Sequence, residues 1–177
     1  MSIRNHATLL LEQTKLLRHL GSAHIVGSYV TDLMVYNDLD FYMNRDSLSE
    51  KAYYALAADL MQLLKPIRYD GFIDMEKKIA FIGMETAISG ERWNIDIWWK
   101  TAEAIQAAET EAQQIISRTA AQPELKEAIL TIKQGLCDRR LYGLDKRKKH
   151  YHSQEIYDSV FLEGIRSVEE FLQKHSM

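Results

Sequence analysis

Asp38 and Asp40 flank Leu39 in a segment, Asn37 to Met43, where Leu39, Phe41 and Met43 alternate strictly with Asp38, Asp40 and Tyr42. A period of two predicts a half-buried strand with carboxylates on its open face. Residues i and i+2 of a strand share a face about 6 to 7 Å apart by rise, so this pair can share divalent metal ions. Magnesium takes oxygen ligands and completes its shell with water and phosphate, which suits two aspartates better than zinc would. A third carboxylate, Asp96, stands in Trp93 to Trp99, where Ile95, Ile97 and Trp99 face one way and Asn94, Asp96 and Trp98 the other. From an adjacent strand it could bind a second metal ion and accept a proton from an attacking hydroxyl. Nine residues separate Asp38 from the pair Gly27-Ser28. There glycine permits close backbone approach, and a hydroxyl with free amides at a helix start can bind anionic oxygens. The plainer alternatives are solvated acids on an exposed strand for Asp38 and Asp40, an ion pair with Arg or Lys for Asp96, and a simple turn for Gly-Ser.

The elements that must position these residues follow from apolar spacing. Met1 to Gly21 reads as one amphipathic helix, with Leu9, Leu10, Leu16, Leu17 and Leu20 interrupted by charged and polar residues, and as neither a signal peptide nor a membrane span. Ala23 to Val26 is a short apolar strand ending in Gly27-Ser28. Ser47 and Glu50 match a capping box for a helix from about Leu48 to Lys65, stopped by Pro66. Ile67 to Met75, Lys78 to Met84 and Arg92 to Trp99 read as a meander that extends the sheet, with a Ser89-Gly90 turn before the last strand. From Thr101 the composition shifts to Ala, Glu, Gln and Lys. Helices are expected near Ala102 to Arg118, Pro123 to Asp138, Gln154 to Glu163 and Val168 to Lys174, the last behind a Ser167/Glu170 capping box.

Composition bounds the function. A chain of 177 residues with 46% apolar content can bury one core, or one core with a helical annex. With 22 Lys and Arg against 25 Asp and Glu, the net charge of −3 provides no global positive field for a nucleic-acid backbone, so a polyanion must find a local patch. The single cysteine, Cys137, closes no intrachain disulfide and makes no zinc or redox motif, which points to a reducing, cytoplasmic setting. Positive charge concentrates at Arg139, Arg140, Lys146, Arg147, Lys148, Lys149, His150 and His152. Such a run is a solvated loop face in most chains; its functional alternative is a lid that neutralises a triphosphate or pyrophosphate, with Lys146, Arg147 or Lys149 as donor.

Taken together, Gly27-Ser28, Asp38-Leu39-Asp40 and a later strand bearing Asp96 resemble the nucleotidyltransferase superfamily typified by DNA polymerase beta. The likeness is greatest to small bacterial members such as aminoglycoside and lincosamide adenylyltransferases and the nucleotidyltransferase-type antitoxins. It covers about residues 20–100, and the stretch from Tyr151 to Phe171 resembles the tails of bacterial relatives. The resemblance implies an α+β fold, a small mixed sheet with flanking helices over residues 1–100 and a C-terminal helical region over 101–177. It implies attack by an acceptor hydroxyl, on a small molecule or protein, at the α-phosphate of a nucleoside triphosphate, expected to be ATP. Asp38 and Asp40 would bind two magnesium ions, Asp96 would be third ligand and base, and Gly27 and Ser28 would hold the triphosphate. No membrane or nucleic-acid partner is expected. One departure favours an alternative, a non-catalytic binding or antitoxin-like module. Where small members place a small residue and then Gly after Gly-Ser, this chain has Tyr29-Val30-Thr31-Asp32, and a charge at Asp32 near phosphates is unfavourable unless it points away.

Overall fold

The computed structural model describes residues 2–143 and 150–175, so Lys146, Arg147, Lys148 and Lys149 lie outside the described residues. The chain divides into two compact units, one of residues 1–32 and 37–113, the other of 33–36 and 114–177.

In the first unit, five strands form one mixed sheet in the order β1-β2-β5-β4-β3: β1 His24–Val26, β2 Asp38–Asn44, β3 Arg68–Asp74, β4 Ile79–Ile88 and β5 Glu91–Lys100. The expected meander is β3-β4-β5, closed between β4 and β5 by Ser89 and Gly90, both at positive φ (54° and 81°). Two central residues of that kind make the turn whose twist matches paired strands. β5 then runs parallel to β2, which brings Asp40 opposite Asp96. Alternation sends Leu39, Phe41, Ile82, Met84, Trp93, Ile95, Ile97 and Trp99 into the core. Helix α4 (Glu50–Leu64) covers that face: the Tyr53 ring lies 5.6 Å from Trp99, and Thr86 Oγ1 donates to the Leu64 carbonyl at 2.6 Å. Burial, and then the hydroxyl contact with Tyr69, push the Tyr53 phenol well above its usual range.

Two local expectations are corrected. The first helix is broken at Lys15, which is left-handed (φ 53°), into α1 (Ile3–Thr14) and α2 (Leu16–Leu20). Thr14 bonds back to the Leu10 carbonyl at 2.7 Å and accepts from the Leu16 amide at 3.3 Å, offering the backbone a local substitute for helix continuation. The cap of α4 is Ser49, which accepts from Ala52, rather than Ser47 with Glu50. Ser47 lies in a short 3-10 turn that Asn44 caps, and its hydroxyl donates to the Asn44 carbonyl.

Between the strands, α3 (Ser28–Thr31) is a single turn. Beyond β5, helix α5 (Ala102–Ala121) begins where composition shifts.

The second unit is helical, with α6 (Pro123–Asp138), α7 (Ser153–Phe161) and α8 (Val168–His175) beside the end of α5. Its core joins Leu33 to Ile129, Ile132, Leu136, Ile156, Val160 and Phe171. Gly135 lets α8 approach α6, since a Cβ there would overlap Val168. The Ser167/Glu170 capping box of α8 is present. Among the described residues, no helix is long and apolar enough to cross a membrane.

Candidate active site

The strand registers assemble the carboxylates. Asp38 and Asp40 share the open face of β2, and parallel pairing places Asn94 beside Asp38 and Asp96 beside Asp40 on the same face of β5. One carboxylate oxygen from each of Asp38, Asp40 and Asp96 lies within 4.8 Å of the others, all three groups half-buried. Among the described residues, this is the one cluster of His, Cys, Asp and Glu that could hold a metal ion. Three like charges at this distance repel one another, and a divalent cation with oxygen preference relieves that repulsion. An all-carboxylate donor set on an open face fits magnesium, which keeps coordination sites for water and phosphate.

Gly27 stands against this cluster. It ends β1, whose antiparallel register pairs Val26 with Asp40. Its backbone (φ 73°, ψ −152°) lies in a region that is glycine's almost alone, and a Cβ there would fall 2.6 Å from Asp40 Oδ2. Glycine is therefore required twice, for the turn and for the approach to the carboxylate. Ser28 opens α3, whose first-turn amides have no acceptor within the helix. Asp32 ends α3 in a left-handed conformation, with its amide on the Tyr29 carbonyl at 3.4 Å.

Three further residues belong to the site and were not singled out from sequence. Asn94 donates from Nδ2 to Asp38 Oδ1 at 2.8 Å, fixing the orientation of that carboxylate. Its place in the alternation with Asp96 was the available signal. Gly83 of β4 lies directly opposite Asp96, and a Cβ there would meet the Phe81 ring at 2.6 Å and Asp96 Oδ1 at 3.3 Å. A glycine inside a strand marks such close approach. Tyr42, next after Asp40 on the open face, has its phenol pushed up by burial and then by the charges of Asp40 and Glu111. The proposed triphosphate cations Lys146, Arg147 and Lys149 fall outside the described residues.

No protein-family model matches the chain, and no curated protein matches it. Solved structures do. The noncanonical poly(A) polymerase complex GLD-2 with GLD-3 aligns over 98% of this chain and 58% of that one, with a TM-score of 0.64 at 8% identity. The polymerase core of TRAMP, an RNA surveillance complex, aligns over 90% of this chain and 48% of that one, with a TM-score of 0.57 at 23% identity. The Cid1 poly(U) polymerase aligns over 77% of this chain and 42% of that one, with a TM-score of 0.54 at 18% identity. The chain thus spans about half the length of these polymerases. At such identities the likeness establishes the fold, a nucleotidyltransferase-like mixed sheet with flanking helices.

Proposed function

We propose that the chain is a magnesium-dependent nucleotidyltransferase, and the observation that carries this reading is the convergence of Asp38, Asp40 and Asp96 beside Gly27. The fold it shares with polymerases supports the same reading. Asp38 and Asp40 would hold magnesium, Asn94 would keep Asp38 turned toward the ion, and Asp96 would complete the ligand set. Bound metal would supply positive charge to the phosphates and to the attacking oxygen. The acceptor hydroxyl attacks the α-phosphorus in line, forming an O–P bond while the bond to the β-phosphate oxygen breaks and pyrophosphate leaves. Asp96 takes the hydroxyl proton. Gly27 leaves the backbone approachable to the triphosphate, and Ser28 offers its hydroxyl and amide. ATP is the proposed donor. The acceptor class expected from sequence is a hydroxyl on a small molecule or protein; the names of the neighbours, which include a poly(U) polymerase and an RNA terminal U-transferase, add the 3′ end of RNA.

Thermal shift of the full chain against the four nucleoside triphosphates, with and without magnesium, tests this directly. Wild type should be stabilised by triphosphate only with magnesium, and Asp40→Asn should lose that shift while keeping its fold by circular dichroism. An unchanged shift in Asp40→Asn would overturn the metal assignment. Magnesium-dependent binding without release of pyrophosphate, over a panel of hydroxyl acceptors, would instead identify a binding or antitoxin-like module.

A further inference from the structure

The sheet face that carries the carboxylates has a second feature one step further along. Beyond the row of Asp40, Asp96 and Gly83, the next row on the same face runs Tyr42, Trp98, Phe81 and Phe72 across β2, β5, β4 and β3. The Phe81 and Trp98 rings lie 4.3 Å apart at 34°, and Phe72 meets them at 6.2 and 6.1 Å. Phe72 is 43% exposed, and Phe81 and Trp98 remain part-exposed. Phe81 leans back over Gly83, so that the point where a Cβ of Gly83 would sit touches both the Phe81 ring and an Asp96 carboxylate oxygen. The aromatic surface and the carboxylate row are therefore continuous. Lys100, the next residue on that face of β5, holds its Nζ 4.8 Å from the Trp98 ring centroid and 5.6 Å from that of Tyr42. Along β5 the order is carboxylate, ring, cation, with steps of about 6 to 7 Å set by strand rise.

We infer that Phe72, Phe81, Trp98 and Lys100 form the acceptor platform, on which the last base of a single-stranded RNA stacks so that its terminal ribose hydroxyl reaches the Asp96 end of the carboxylate row. The inference rests on the nucleotidyl-transfer reading above and names its acceptor. Phe72 offers an exposed ring and Phe81 and Trp98 part-exposed ones, which another flat ring covers whatever the base, and Lys100, which lies over Trp98 and Tyr42, would turn to the phosphate that precedes it. Along β5 the carboxylates lie on one side of the rings and Lys100 on the other, as the 3′ hydroxyl and the 5′ phosphate of a terminal nucleotide lie at opposite ends of its ribose. The net charge of −3 provides no global positive field for tracking a long backbone. Holding one terminal nucleoside needs no such field.

The test is fluorescence anisotropy of a 5′-fluorescein RNA hexanucleotide with the full chain in EDTA, where no transfer occurs. Trp98→Ala should weaken binding about tenfold or more. Trp98→Phe, which keeps a ring, should stay within about threefold of wild type. A hexanucleotide with an abasic 3′ residue should bind wild type as weakly as the intact one binds Trp98→Ala, an arm that depends on no variant folding. Lys100→Ala should reduce the slope of log affinity against log salt by about 0.7, one phosphate contact on a single strand. Equal binding of intact and abasic oligonucleotides would overturn the platform. So would a wild-type dimer in sedimentation that Phe72→Ala or Trp98→Ala splits, since the face would then belong to a second copy. Loss of the magnesium-triphosphate shift with these arms intact defeats only the transfer reading, and the reverse defeats only the platform.

Discussion

Lys133 and the Asp38, Asp40 and Asp96 cluster are two charged places that the chain treats in opposite ways. Lys133, on α6 of the helical unit, is fully buried. Its Nζ donates to the Leu33 carbonyl at 3.2 Å and to the Tyr157 hydroxyl at 3.0 Å, and lies 5.6 and 4.9 Å from the Tyr142 and Tyr157 ring centroids. A buried cation survives when donors meet acceptors and aromatic faces supply negative potential. The aspartates instead stand half-exposed on the sheet, like beside like, with Asn94 on one of them. The lysine is met by acceptors inside the helical unit. The carboxylates crowd one another on an open face, an arrangement that a bound cation would relieve.

The comparison breaks first at Lys133. Lys133→Met should lower stability by about 2 to 4 kcal/mol in urea unfolding, because the Leu33 carbonyl and Tyr157 hydroxyl lose a buried donor. A loss below about 0.5 kcal/mol would mean that the cage contributes nothing. Next in size, Gly27→Ala should cost about 1 to 3 kcal/mol from the glycine-only backbone. It should also remove magnesium-dependent triphosphate binding by pushing on Asp40. Asp40→Asn sharpens the contrast by its sign: in EDTA its unfolding free energy should lie within about 0.5 kcal/mol of wild type or above it. With magnesium at ten times its dissociation constant, wild type should gain about 1.4 kcal/mol and Asp40→Asn nothing.

The smallest effect concerns Cys137, whose thiol is pushed up to about 11 by burial and by Asp138, with Lys133 opposing. Because the thiolate is the reactive form, alkylation by iodoacetamide at pH 8 should run about two orders of magnitude slower than for a free thiol. The rate should climb as pH rises toward that value. Removing the Lys133 charge should slow it slightly further.

The sequence carried the open face of the sheet well. Strict alternation in Asn37 to Met43 and Trp93 to Trp99 placed each aspartate on the open face of its own strand, and alternation is a local property that needs no partner; that the two open faces coincide is set by the β2–β5 register. Asn94 stood in the same alternation. The necessity of Gly27 was only half visible: its turn is local, but its collision with Asp40 exists only in the β1–β2 register. Lys133 was illegible, since a lysine on an amphipathic helix reads as solvated until Leu33, 100 residues earlier, supplies its carbonyl. The cap of α4 was misplaced for a similar reason: Ser47 and Ser49 both precede an apolar run, and Ser47 is taken up in the short turn that Asn44 caps, which leaves Ser49 to start the helix.

The parallel pairing of β2 with β5 also sets when the site comes into being. The β4–β5 hairpin closes over two residues and can form in microseconds, but Asp38 and Asn94 are 56 residues apart and meet only after the slow closure of a long loop. A chain still leaving the ribosome with β5 unmade carries two of the three aspartates and not yet the cluster. On the proposed reading, metal affinity would arise late in folding, and capture of magnesium would mark the moment at which the central ladder has closed.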